Sequence, residues 1–181
     1  MQVEQEQTID YCQDMVRQWG NDRYLTVLLA PEAMRPHLWA LYAFDIEVAR
    51  IRSLVSEPGI GEIRYQWWID AIDGLYEQRP VEHPVIAGLA QAIEYADLPR
   101  HAFVNLIEAR RFDLYDDPMP SLNDLEGYLG ETSSVLVQMA AQLLAGEAAF
   151  TLSEITGPAG VAYGMCKLMC AVPGHRARGQ C

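Results

Sequence analysis

An all-α bundle is the fold this sequence predicts, and three observations predict it. Apolar residues recur three and four apart in segment after segment, as on the buried face of a helix. No stretch of useful length alternates apolar and polar residues as a half-buried strand would. Proline and glycine punctuate the segments, and no internal repeat interrupts them. One domain of about eight helices, spanning residues 1–181, is therefore expected.

Each element has its own warrant. Ile9, Cys12, Val16 and Trp19 make an amphipathic first helix that ends at Gly20. Asp22 then caps a short segment from Tyr24 to Leu29. Pro31 and Pro36 suit helix starts, since proline lacks only an amide that would be orphaned there. The central helix follows and runs to about Val55, with Leu41, Phe44, Val48, Ile51 and Val55 in register. From Leu38 to Phe44 it carries no charge, so other helices should enclose it. Its second half sets Asp45, Glu47, Arg50 and Arg52 among small and branched residues. Such a half either surfaces or lines a pocket.

Glu57-Pro58-Gly59 breaks the central helix. Ile60 to Glu77 is next, with Ile63, Trp67, Ile72 and Leu75 on its stripe. Arg79-Pro80 and His83-Pro84 frame an extended loop. Val85 to Ala96 and Pro99 to Leu114 are two further helices. Asp116-Asp117-Pro118-Met119-Pro120 reads as a turn, and Ser121 with Asp124 three residues on gives a helix-start signal. That helix runs to Gly146. A last one, Leu152 to Val172, carries Gly157, Gly160 and Gly164, which allow close helix–helix approach.

Composition narrows the function. Half the residues are apolar and 21% are charged, so the chain is globular. The 13 basic residues stand against 25 acidic ones, and a net charge of −12 argues against nucleic acid and anionic membrane surfaces. The acidic N-terminus has no signal-peptide core, and no apolar run approaches the ~18 residues that would span a bilayer. A soluble, cytoplasmic chain without a transmembrane segment is expected. Of the four cysteines, Cys166 and Cys170 lie one helical turn apart and could be soft metal ligands. No His or Asp at useful spacing completes a set, so small core thiols are the preferred reading.

No catalytic set emerges from spacing alone. Asp113 and Asp117 stand one turn apart and could share Mg²⁺, but the prolines at 118 and 120 favour solvated turn acids at 116 and 117. Asp70 and Asp73 read as a solvated face. His37, His83, His101 and His175 are scattered, and Thr132-Ser133-Ser134 has no adjacent histidine to activate a hydroxyl.

Three stretches together resemble the squalene/phytoene synthase family. Leu41-Tyr42-Ala43-Phe44 resembles the opening of its first aspartate-rich helix. Phe112-Asp113-Leu114, with Leu125 and Tyr128 to Val135, resembles its middle helices. Gly160-Val161-Ala162-Tyr163-Gly164, then Arg176-Ala177-Arg178-Gly179, resembles its second aspartate-rich helix and the turn beyond. The resemblance implies an isoprenoid-synthase-like bundle, in which Mg²⁺ held by acids on two facing helices neutralises a diphosphate leaving group. In that register the acids would fall at Ala49, Arg50, Ser53, Ala171 and His175, and none of these is a carboxylate.

Asp45-Ile46-Glu47-Val48-Ala49-Arg50-Ile51, with Pro58-Gly59-Ile60-Gly61-Glu62-Ile63-Arg64-Tyr65-Gln66-Trp67-Trp68 after it, is similar to the family's non-catalytic branch that includes the mitochondrial complex I assembly factor. That likeness implies a helper in complex I assembly or a carrier of a prenyl or lipid chain, with no cofactor. Its partners would be respiratory-complex assembly proteins or an apolar prenyl ligand, and its place the cytoplasm, peripheral to the inner membrane. The alternative is a head-to-head prenyltransferase acting on farnesyl or geranylgeranyl diphosphate. Asp45, Glu47 and Asp113 would then hold Mg²⁺ while Arg176 and Arg178 grip the diphosphate. Tyr42, Asp45, Glu47, Asp113, Tyr128, Arg176 and Arg178 are the candidate cavity residues. An unrelated bundle with accidental matches is the third reading. Family members continue for several more helices, so the bundle is expected to lack its last ones and to cover the open face by self-association.

Overall fold

The computed structural model describes residues 2–79, 81–115 and 117–177. Among these, nine α-helices and no strand occur: α1 (Gln2–Trp19), α2 (Asn21–Leu28), α3 (Arg35–Leu54), α4 (Pro58–Tyr76), α5 (Pro84–Ala96), α6 (Arg100–Arg110), α7 (Leu122–Leu129), α8 (Val135–Ala145) and α9 (Ser153–Ala177). The all-α class is as expected. The helix expected from Ser121 to Gly146 is divided by a π-helical turn, Gly130–Ser134.

α3 is the hub, packed chiefly against α1 and α5 and more lightly on α2, α4, α6 and α8. The reason lies in its first half, where Leu38, Trp39, Leu41 and Phe44 are all buried. Phe44 meets Trp68 and Phe103 edge-on at 5.6 and 5.4 Å, joining α3 to α4 and α6. Removing such rings from water contributes ~1.5–3 kcal/mol each, which is what holds the uncharged segment from Leu38 to Phe44 in the centre.

The second half of the bundle depends on backbone approach. A Cβ on Gly160 would lie 2.3 Å from Ser134 Cα, and one on Gly164 would lie 2.6 Å from Leu129. Two absent side chains one turn apart thus let α9 lie against the π turn. Ser134 Oγ donates to Gly157 O at 2.6 Å across the same contact. At the start of α7, Ser121 Oγ accepts the Asp124 N–H as expected.

Other expectations give way as well: Asp22 lies within the first turn of α2, which begins after Gly20 with no side-chain cap hydrogen bond. Cys166 and Cys170 are exposed on α9 rather than core thiols, because no described element covers that face; Cys12 is buried. By length and composition, the helical stretch Leu122–Gly174 also holds a window apolar enough to cross a membrane, with mean hydropathy 1.4 and 33% of it buried. The stretch is not one rod, since Gly146 breaks it at φ 57 and a 3-10 turn follows.

Two histidines are expected to give the fold a pH dependence. His37 stacks on Tyr95 at 4.6 Å, and His83 lies edge-on to Trp67 and Trp68. Burial holds both imidazoles below their ordinary value. A base whose folded pKa is depressed leaves the unfolded chain to take protons first. Their destabilising effect is therefore absent well above pH ~6.5, grows as pH falls through that value, and levels off below the folded values. Thermal melts from pH 7.5 to 5.5 should show a falling Tm that His37→Gln with His83→Gln flattens; an equal decline in the double variant would refute this assignment.

Candidate functional site

The polar half of α3 lines an interior site. Asp45 is 7% exposed, and two arginines from other helices reach it. Arg23 Nη1 of α2 donates to Oδ2 at 2.5 Å, and Arg110 Nη2 at the end of α6 donates to Oδ1 at 3.4 Å. Arg110 Nη1 also reaches Asp113 Oδ2 at 3.3 Å and the Tyr128 hydroxyl at 2.9 Å. That hydroxyl lies 2.7 and 2.9 Å from the two Asp113 oxygens and donates to the carboxylate. Two guanidinium and two carboxylate groups, joined by a phenol, thus close one network.

Aromatic rings and α9 seal it. The Arg23 guanidinium stands 4.8 Å from the Tyr42 ring centre and 5.3 Å from that of Tyr163. Tyr163 donates to Asp22 Oδ2 at 2.5 Å, and Lys167 Nζ is 4.0 Å from the same carboxylate. Burial opposes the charge on Arg23, but Asp45 and the neighbouring tyrosines outweigh it and hold the guanidinium above its ordinary value. Arg110 is raised likewise, with burial opposed by Tyr128, Asp45 and Asp113. Burial, then Asp113, pushes the Tyr128 phenol well above its usual range, although Arg110 pulls the other way. The phenol therefore stays protonated, as its donation to Asp113 requires. Arg110 Nε and Tyr65 Oη are buried without a protein hydrogen-bond partner among the described residues.

Four of the expected residues, Tyr42, Asp45, Asp113 and Tyr128, meet here. Glu47 does not: it accepts from Tyr11 at 3.2 Å, on the α1 side of α3. Arg176 lies exposed near the end of α9, and Arg178 falls outside the described residues. Sequence reasoning missed Arg23 and Arg110. Only the close approach to Asp113 three residues on, an i,i+3 pair, could have marked Arg110.

The positions where the family resemblance places acids are occupied otherwise. Arg50 stacks on Trp19, its guanidinium 3.7 Å from the ring centre, and Ser53 Oγ donates to Arg50 O. Ala49 and Ala171 carry no ligand atom. These residues do not fit Mg²⁺. Asp45 and Asp113 are each taken up by arginine, Glu47 faces away, and among the described residues no group of three His, Cys, Asp or Glu side chains is placed to hold a metal. Two surface concavities are lined by residues outside the network. One is a small pocket of about 10 Å³ beside Cys12, His37 and Gly88; the other is an open groove of about 370 Å³ along Asp70, Asp73 and Arg79. The arrangement neutralises charge and ties α2, α3, α6 and α7 together.

The comparisons agree with this reading of the fold. The model of the squalene/phytoene synthase family matches residues 16–181. The chain is 30% identical over 168 residues to "NADH dehydrogenase (ubiquinone) complex I, assembly factor 6" of Bos taurus, covering 93% of this chain and 50% of that protein. It is 29% identical to the Homo sapiens protein of the same name, covering 94% and 51%. A 15-cis-phytoene synthase of Synechocystis matches at 24% identity over 142 residues, 77% of this chain and 41% of that protein. The crystal structure of a dehydrosqualene synthase in complex with ligand superposes with a TM-score of 0.86 at 18% identity, over 99% of this chain and 62% of that one. The chain spans about half the length of the curated relatives it matches.

Proposed function

The chain belongs to the squalene/phytoene synthase family, and we propose that it is a non-catalytic member that helps assemble a respiratory NADH dehydrogenase. It would work in the cytoplasm, at the periphery of the inner membrane. One observation carries the reading: the acids in the interior are already paired with Arg23 and Arg110. A prenyl diphosphate ionises only when divalent cations neutralise its leaving group, and carboxylates held by guanidinium groups have little charge left for such an ion. Ala49, Arg50, Ser53, Ala171 and His175 stand where the resemblance places acids, and none is a carboxylate. The names of the assembly-factor relatives supply the process, and this chain matches them at 29–30% identity.

An assembly helper needs a docking surface rather than a cavity. α9 offers Ile155 and Met169, 66% and 72% exposed, on a helix with few charges. The prenyltransferase alternative leans on the match to phytoene synthase and requires a metal site that these side chains do not form. Cells deprived of the protein should lose assembled NADH dehydrogenase on native gels while their prenyl products stay constant. Normal complex levels with altered prenyl products would reverse the assignment.

A further inference from the structure

α9 carries Met165, Cys166, Met169 and Cys170, in the run Met-Cys-Lys-Leu-Met-Cys. At 100° per residue the four positions fall within one arc of about 140° around the helix axis. Both thiols are exposed and free, and Met169 is among the most exposed apolar residues of the chain. The helix is continuous through this stretch, so the spacing is fixed rather than dependent on a loop.

We propose that Cys166, Cys170 and Met169 form a binding site for a soft, low-coordinate cation of the Cu(I) class. Residues one turn apart have Cβ atoms ~5–6 Å apart. Two thiolates that share one ion stand at most about twice a metal–sulfur bond apart, roughly 4.6 Å for bonds of ~2.3 Å. Modest side-chain rotation bridges the two distances. Met169 lies three residues after Cys166 and one before Cys170, so its thioether completes a three-sulfur set from the same face. Thiolate and thioether donors select soft ions. A tetrahedral zinc site needs more nitrogen, oxygen or sulfur ligands than this face shows, since no group of three His, Cys, Asp or Glu side chains converges among the described residues. The third donor here is a methionine, which favours Cu(I).

The test is an anaerobic titration of the 181-residue chain with Cu(I), in competition with a chromophoric Cu(I) chelator. The wild-type chain should withdraw one Cu(I) per molecule, with a thiolate-to-metal absorption band. Cys166→Ser with Cys170→Ser should abolish the uptake with an unchanged far-ultraviolet circular dichroism spectrum, because both side chains are exposed. Met169→Leu should weaken it, and Cys12→Ser, in the core, should leave it intact. No competition with the chelator, or equal uptake by the double serine variant, would overturn the proposal. So would one equivalent of Zn²⁺ bound more tightly than Cu(I).

Discussion

Asp45→Ala is expected to cost about 3–5 kcal/mol of folding stability, the usual penalty for leaving a buried charge without its partner. Two arginines lose a ligand at once. Arg110 keeps Asp113, but Arg23 has no other carboxylate within ion-pair distance among the described residues. Arg23 would then sit between the Tyr42 and Tyr163 side chains without a carboxylate to balance its charge. Urea denaturation at pH 7 measures the loss. A network of this kind is stabilised by pairing and not by charge as such, so Arg23→Met added to Asp45→Ala should recover much of it. A cost under 1 kcal/mol for Asp45→Ala would mean that water reaches the site and screens it.

Gly160→Ala is the second large effect, with an expected loss of about 2 kcal/mol. The new methyl group would meet Ser134 Cα at 2.3 Å and Ser134 N at 2.6 Å, and a backbone cannot swing aside as a side chain can. Overpacking of this kind costs ~1–3 kcal/mol, and the better helix propensity of alanine returns up to ~1. Gly127→Ala is the matched control. It lies within α7 with nothing inside 4 Å of the added Cβ, so propensity alone acts and stability should rise by ~0.5–1 kcal/mol. Equal effects at the two positions would show that α9 does not rest on the π turn.

Much of the fold is written in local pattern. The stripe Leu41, Phe44, Val48 and Ile51 marks α3 as the buried hub, and all four residues are buried. Gly160 and Gly164 announce a close approach without naming its partner. The π turn at Gly130–Ser134 has no such signature, because Thr132, Ser133 and Ser134 fit an ordinary helix as well; the widened turn answers to α9 lying across it. Whether the polar half of α3 surfaces or turns inward is likewise not local. The answer rests on Arg23, 22 residues before Asp45, and Arg110, 65 residues after it. Periodicity carries no information at that range. The exposure of Cys166 and Cys170 was hidden for the opposite reason: α9 is apolar nearly all round, so its sequence does not say which face is covered.

The interior acids Asp45 and Asp113 are paired with Arg23 and Arg110, so no Mg²⁺-dependent ionisation is expected of them. The most direct measurement is release of inorganic diphosphate from farnesyl diphosphate by the purified chain across a Mg²⁺ titration. The rate should equal that of substrate alone at every Mg²⁺ concentration, for the wild-type chain and for Asp45→Asn alike. Mg²⁺-dependent release that Asp45→Asn or Asp113→Asn abolishes would contradict this expectation and return the chain to the family's catalytic members.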